Sequence, residues 1–418
     1  MTTGASEASS LLPTNVATAF STETMEPPPQ SPSRFSFAKI AGFCLLAAGA
    51  VGVGYSAWLL DVKENTESSL AGTPIESSEA HTIVELEGKS HGKSKEKNQL
   101  STCEDGMYSK RTLKMAYELP FHSLFKDTKG QKKFEASSVT VKDGFAYAIC
   151  DSSWSISKFG DELQPFGEKN VQIGDPSREE EDSGYEALFI DNDIFYVVRE
   201  SIQSTDKTYH AIIEELSLGE EAYEVVEQCP AEFEFEGDSK GFEGAIAVHD
   251  LNGTLTVLGL CEGNYCSESK KDDKGHGMVV AMQKGVSDDG SCEWKTVTTI
   301  SIPKTAFFAD YSAMTMDKKG KVAISSQEES QLWVGKLLGQ NDAGLWDILN
   351  IAFDPDHKDK LFDFPKNDQC ATVYCNIEGV HWIGDDMILA VSDKMKSKGK
   401  QDFRCFDKDQ SVHVFVLP

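Results

Sequence analysis

One hairpin-shaped unit recurs five times between residues 137 and 394, and this recurrence limits the fold more than any other feature. The units read SSVTVKDGFAYAICDS from Ser137, EALFIDNDIFYVVRES from Glu186, EGAIAVHDLNGTLTVLGLCEG from Glu243, SAMTMDKKGKVAISSQEES from Ser312 and EGVHWIGDDMILAVSDK from Glu378. Each has a polar or acidic start, an apolar run, a turn of Asp, Asn, Gly or Lys, a second apolar run and an acidic end. The starts are 49, 57, 69 and 66 residues apart. Alternation of period two marks half-buried strands, and turn residues mark the reversals. Units of this kind bury their faces only against their neighbours, so the pattern implies a closed or stacked array.

A third strand follows each hairpin: SISKF, YHAIIEEL, GMVVAMQK, QLWVGKL and VHVFVL. A fourth follows the first four units: VQIG, AYEVVEQC, EWKTVTTISI and LWDILNIAF. The fifth unit runs out at Pro418 without one, while RTLKMAYELP, from Arg111 to Pro120, stands unassigned at the other end. The expectation is an all-β, five-bladed β-propeller over residues 102–418, its last blade closed by strands from both ends of the domain. A two-sheet sandwich of short strands is the competing fold.

In each unit the first strand runs out and the second runs back. The residues before the first and after the second therefore share one face. The starts are Ser137, Glu186, Glu243, Ser312 and Glu378, and the ends are Asp151, Glu200, Glu262, Glu328 and Asp393. Eight of these ten positions carry carboxylates, expected to converge on one mouth of the central channel. Such a cluster is unfavourable unless it binds a cation, takes up protons or pairs with bases. A hard, oxygen-seeking ion such as Ca²⁺ suits it best. The competing role is structural, with the acids accepting bonds from backbone amides at strand ends. The loop CEGNYCSESKKDDKGHG, from Cys261, is expected on the same face, with Lys270, Lys271 and Lys274 available to neutralise the acids.

The unit EGVHWIGDDMILAVSD resembles the hairpins of regucalcin and gluconolactonase-like propellers and of phytase-like esterase propellers. KGFEGAIAV and DYSAMTM with VAISSQEES are similar to blades of the calcium-activated nucleotidases, the soluble apyrase family. That resemblance implies a five-bladed fold holding Ca²⁺ in its channel, and it carries the calcium onto Glu186, Glu243, Ser312 and Glu378. The chain departs from the family by continuing with a strand after its last unit. No match to the bases that family sets around its phosphates was found.

Other catalytic patterns are absent: there is no G-x-S-x-G, H-E-x-x-H or Walker loop. His381 and His413 alternate with apolar residues and read as strand side chains. Two functions follow. The first is a binding module presenting an ion-stabilised face to a glycan, protein or small ligand. The second is a metal-dependent hydrolase of phosphoester, nucleotide, lactone or glycan substrates, which needs a base such as Arg199 or Lys270 over the acids.

The N-terminal quarter of the sequence is of a different kind. Residues 40–60 carry no charge, and at about 1.5 Å per residue they reach roughly 30 Å, the thickness of a bilayer core. A secretory signal peptide would be shorter and nearer the N-terminus. Arg34 and Lys39 precede the run, whereas Asp61, Lys63 and Glu64 follow it, so the N-terminal side is expected in the cytosol. This reading gives a disordered cytosolic tail (1–39), a single-pass membrane anchor (40–60), a polar stalk (61–101) and a luminal or extracellular propeller. EASSLL, Glu7 to Leu12, has the spacing of an acidic dileucine sorting signal.

Nine cysteines beyond the anchor agree with an oxidising compartment. Cys103, Cys405, Cys261, Cys266, Cys370 and Cys375 are disulfide candidates, with Cys103 and Cys405 placed to staple the ring. Cys150, inside an apolar strand, is expected to stay free. Asn252-Gly253-Thr254 is a glycosylation sequon suited to the same compartment. The formal net charge of −28 excludes nucleic acid as a partner, because phosphate backbones require Lys and Arg.

Overall fold

The computed structural model describes residues 111–418 apart from 178–181, 239, 268–272, 356, 358–359, 368–369, 396–404 and 406–407. The tail, the anchor, the stalk, Cys103, Lys270 and Lys271 lie outside the described residues. Among the described residues no helix is long and apolar enough to cross a membrane.

The described chain is all-β and of β-propeller type. Strand β1 (Lys114–Pro120) belongs with the last sheet. The next four, β2 (Ala136–Lys142), β3 (Phe145–Cys150), β4 (Ser153–Gly160) and β5 (Val171–Asp175), pair antiparallel in chain order. The same order builds the second sheet from β6 (Tyr185–Asp191), β7 (Ile194–Gln203), β8 (Tyr209–Leu218) and β9 (Tyr223–Phe235). It builds the third from β10 (Phe242–His249), β11 (Leu255–Cys261), β12 (Met278–Val286) and β13 (Cys292–Ser301). The fourth has β14 (Ala313–Met316), β15 (Lys321–Ser326) and β16 (Gln331–Leu338), with both β17 (Ala352–Phe353) and β18 (Lys360–Asp363) on the outer edge of β16. The last has β19 (Ile377–Trp382), β20 (Met387–Ser392) and β21 (Ser411–Val416), and β1 pairs antiparallel with β21.

The first strands pack in a circuit: β2 on β6, β6 on β10, β10 on β14, β14 on β19, and β19 back on β2. Small residues permit this approach. A Cβ on Gly379 would stand 2.9 Å from Ser138 Cα, and one on Gly244 would stand 2.6 Å from the Met314 nitrogen. Hydroxyls join two of the other seams: Ser138 Oγ accepts from the Leu188 N–H at 3.1 Å, and the Ser312 hydroxyl donates to the Ile377 carbonyl at 2.9 Å. The apolar faces are shared between neighbouring sheets. One cluster joins Leu258 and Val279 to Ile324 and Trp333, and another joins Ala146 and Phe159 to Leu389 and Val414. No sheet has a complete core of its own.

Two expectations need correction. LWDILNIAF was expected to form one strand, yet it is a strand only at Ala352–Phe353, with single bridges from Trp346 to Asp250 and Gln340. Trp346 and Ile348 instead sink into the core between the third and fourth sheets, and β18 takes up the freed edge of β16. Cys405 pairs with Cys375 rather than with Cys103. Cys261–Cys266 and Cys229–Cys292 are bonded, Cys370 is disulfide-bonded as well, and Cys150 is free and buried as expected. Cys229–Cys292 ties the outer strands β9 and β13, which also touch through a parallel pair at Ala231 and Trp294.

Candidate functional site

The start residues of the hairpins occupy β-bulges. The β2–β3 ladder steps from Ala136↔Cys150 to Ser138↔Ile149 and skips Ser137. The other ladders skip Glu186, Glu243 and Glu378 in the same way. A bulged residue leaves the pleat's alternation, so its side chain is re-aimed. In the fourth sheet the ladder begins at Ala313↔Ser325, and Ser312 holds the corresponding place. The end residues lie one step past the ladder. The N–H groups of Asp151, Glu200, Glu262 and Asp393 donate to the carbonyls of Glu135, Gly184, Gly241 and Asn376 at 3.0, 2.8, 3.4 and 2.9 Å. In the fourth sheet that step is reached by Gln327, whose N–H donates to Asp310 Oδ2 at 3.1 Å. Glu328 therefore sits one residue beyond the level of the others.

The acids of the first three sheets converge. Glu186 is 7% exposed and has no hydrogen-bond or ion-pair partner among the described residues. Burial pushes its carboxyl well above the usual range, and the charges of Glu243, Glu200, Asp151 and Glu262 add to the rise. Burial also lifts Asp151 to about 6, helped by Glu135, Asp182 and Glu200, and its Oδ1 is buried without a hydrogen bond. Glu135 and Asp182 were missed in the sequence because they precede the strands they face. Lys240 was missed too: its Nζ lies 2.7 Å from Glu262 Oε2, the nearest positive charge to this group.

The acids of the fourth sheet form a separate, better satisfied set. Asp310 accepts from the Ser326 hydroxyl at 2.5 Å, and Lys274 meets Glu329 at 2.5 Å. Lys274 thus neutralises acids as its loop suggested, although not those around Glu186. Ser312 spends its hydroxyl on the seam to Ile377. Arg199 lies against Trp154 and pairs with Glu214 at 3.2 Å, so it is committed between the first two sheets rather than set over the mouth. His413 is fully buried in β21, and burial lowers the pKa of His381 in β19 to about 4, so both are neutral strand side chains.

The donor set fits a hard cation: all oxygen, strongly acidic, with one orphaned buried oxygen and one unpartnered buried carboxylate. Its spacing is open. Among the described residues no three of these carboxylates bring oxygens within 4.8 Å of one another. The one trio that does is Glu227 with Cys229 and Cys292, whose sulfurs are bonded to each other and are not free to ligate. Direct Ca–O bonds of 2.3–2.6 Å place opposite ligand oxygens about 5 Å apart. The mouth is wider than a closed cage of that kind.

No family model and no curated protein matches the chain. Among solved structures it is similar to the PQQ-bound aldose sugar dehydrogenase of Streptomyces coelicolor, at 11% identity over 72% of this chain and 98% of that one, with a TM-score of 0.36. It is also similar to a catalytically inactive virginiamycin B lyase of Staphylococcus aureus with quinupristin, at 9% identity over 73% and 100% of the two chains, TM-score 0.35. Likeness at this level concerns fold type alone.

Proposed function

We propose that the described region is a five-bladed propeller whose acidic mouth holds a hydrated divalent cation, Ca²⁺ by donor chemistry, and presents it to a ligand. In this reading the propeller is the luminal or extracellular part of a single-pass membrane protein anchored by residues 40–60. One observation carries the cation: Glu186, buried and unpartnered, faces four other carboxylates. Glu186 and Glu243 would hold the ion with Asp151 and Glu200, keeping water in its shell or drawing the carboxylates inward. Ser312, with its hydroxyl committed to the seam, leaves this set, and Glu378 remains at its rim. Bound Ca²⁺ would supply a positive centre able to attract the oxygens of a glycan, a carboxylate or a phosphate.

Among the described residues the binding role is favoured over hydrolysis because the bases near the acids are paired: Arg199 with Glu214, Lys240 with Glu262, Lys274 with Glu329, and Lys133 and Lys394 with Glu135. Thermal unfolding of the full-length chain with Ca²⁺, with Mg²⁺ and with EDTA tests the cation. A ligand specific to the folded state adds about 2.7 kcal/mol at a hundredfold excess over its Kd. A midpoint raised by Ca²⁺ and unresponsive in Glu186→Gln and Glu243→Gln is the expected result. No response to either ion, in protein shown by metal assay to hold none after EDTA, would remove the cation and leave the acids as strand-end caps.

A further inference from the structure

A second recess lies at the far end of the hairpins from the acids, between the second and third sheets. The turn after β6, with Asp191 and Asn192, and the turn before β11, with Gly253 and Thr254, form its rim. Tyr196, His249, Lys284 and Trp294 wall a volume of about 340 Å³. This is near the lower end of small-molecule sites, which run from about 300 to 1,000 Å³.

The charges in the wall are already spent. Asp191 Oδ1 lies 3.4 Å from His249 Nε2, and its Oδ2 accepts from the Asn192 amide at 3.0 Å. The Lys284 ammonium bridges Glu215 and Glu227. Burial pushes the Tyr196 hydroxyl up to about 12, so it stays a donor at neutral pH. The rings are fixed: Tyr196 stacks on Phe189 with centroids 4.8 Å apart and meets Trp294 edge-on at 6.4 Å. Trp294 is 1% exposed, and its indole N–H has no acceptor among the described residues. A phosphate would meet carboxylates, and an ammonium ligand would have to displace Lys284 or the His249 contact. A neutral ligand with many hydroxyls can accept from the Tyr196 hydroxyl and donate to Asp191.

We propose that this recess binds a saccharide, one ring deep. It is separate from the acidic mouth and stands whether or not a cation binds there. The sugar has two sources, free in solution or carried by the chain itself. Asn252 is exposed at the tip of the Asp250–Thr254 turn, whose Gly253 and Thr254 form the rim, so a glycan on its sequon would start at the edge of the recess.

The test is saturation-transfer NMR on the full-length chain in detergent, made in a glycosylating host, beside its Asn252→Gln form. The probes are glucose, mannose and N-acetylglucosamine. Saturable transfer from at least one probe is expected, weakened about tenfold or more by Asp191→Ala or His249→Gln, with unchanged unfolding midpoints showing that the variants fold. Equal binding to both glycoforms identifies a free sugar as the ligand. Binding confined to Asn252→Gln identifies the chain's own glycan as the occupant. Absence of saturable transfer from all three probes up to about 10 mM in both forms overturns the proposal, as does binding that neither Asp191→Ala nor His249→Gln weakens.

Discussion

Two carboxylates, one partly and one almost wholly buried, meet opposite fates in this ring of sheets. Glu118, on β1, is held by the Lys408 ammonium and by the Tyr374 hydroxyl at 3.0 Å, with His413 Nδ1 at 3.6 Å. Burial acts to raise its pKa, yet hydrogen bonding from His413 and then from the Lys408 ammonium, with that ammonium's charge, outweighs burial and brings it down to about 2. Glu186 has no such partner and is driven the other way. Burial does not decide the outcome; the supply of partners does. Glu118 sits where the two ends of the domain are sewn together, and its bonds serve closure. Glu186 sits on a bulge facing like charges, an arrangement that stabilises nothing until a cation or a proton arrives.

The largest expected effect falls on the partnered side. Glu118→Gln leaves Lys408 half-buried without its counter-charge and should lower stability by about 2 kcal/mol, less than for a fully buried pair because about a quarter of each side chain stays wet. A denaturant midpoint equal to that of the parent chain would erase the distinction. Glu186→Gln should act in the opposite sense, raising stability in EDTA by about 1 kcal/mol as like-charge repulsion is lifted. A fall of similar size would mean that Glu186 already has a compensating partner.

The smallest effect is a pH dependence with two signs. Asp151 titrates near 6 when folded against an ordinary 3.8, so the folded state binds the proton more tightly. Stability therefore rises as pH falls from about 7 towards 4. Glu118 is depressed from 4.5 to about 2, so its contribution is complete above 4.5 and is lost as pH falls through that window. Urea midpoints measured across pH 3–8 without divalent ions should pass through a maximum near 4. Asp151→Asn should flatten the neutral limb and leave the acid limb intact.

Strand pairing was legible in the sequence because alternation and turn residues are local signals. The sharing of one sheet by β1 and β21 followed from counting strands. LWDILNIAF misled because Trp346 and Ile348 satisfy the strand pattern while serving an inter-sheet core that only the assembled ring creates. The level of Glu328 was misjudged by one residue, since a ladder's register is set by pairing and not by composition. The acids were expected as one ring; their division into an unpartnered group and a satisfied one was not anticipated. That division depends on Lys240, Lys274 and Ser326, whose partners lie across turns or in other hairpins, beyond what spacing along the chain reveals.

The pairing of β1 with β21 also sets a timetable for synthesis. Roughly 300 residues separate the two strands, and at about 5–20 residues per second their translation occupies between about 15 and 60 seconds. Throughout that interval β1 has no partner strand, its backbone donors and acceptors remain open, and β2 has no β19 to close against. The ring can shut only after Ser411–Val416 has left the ribosome. A ribosome stalled or a message truncated before that point yields four sheets with two raw edges, a species prone to pair with its own kind and a ready substrate for chaperones that shield exposed strands.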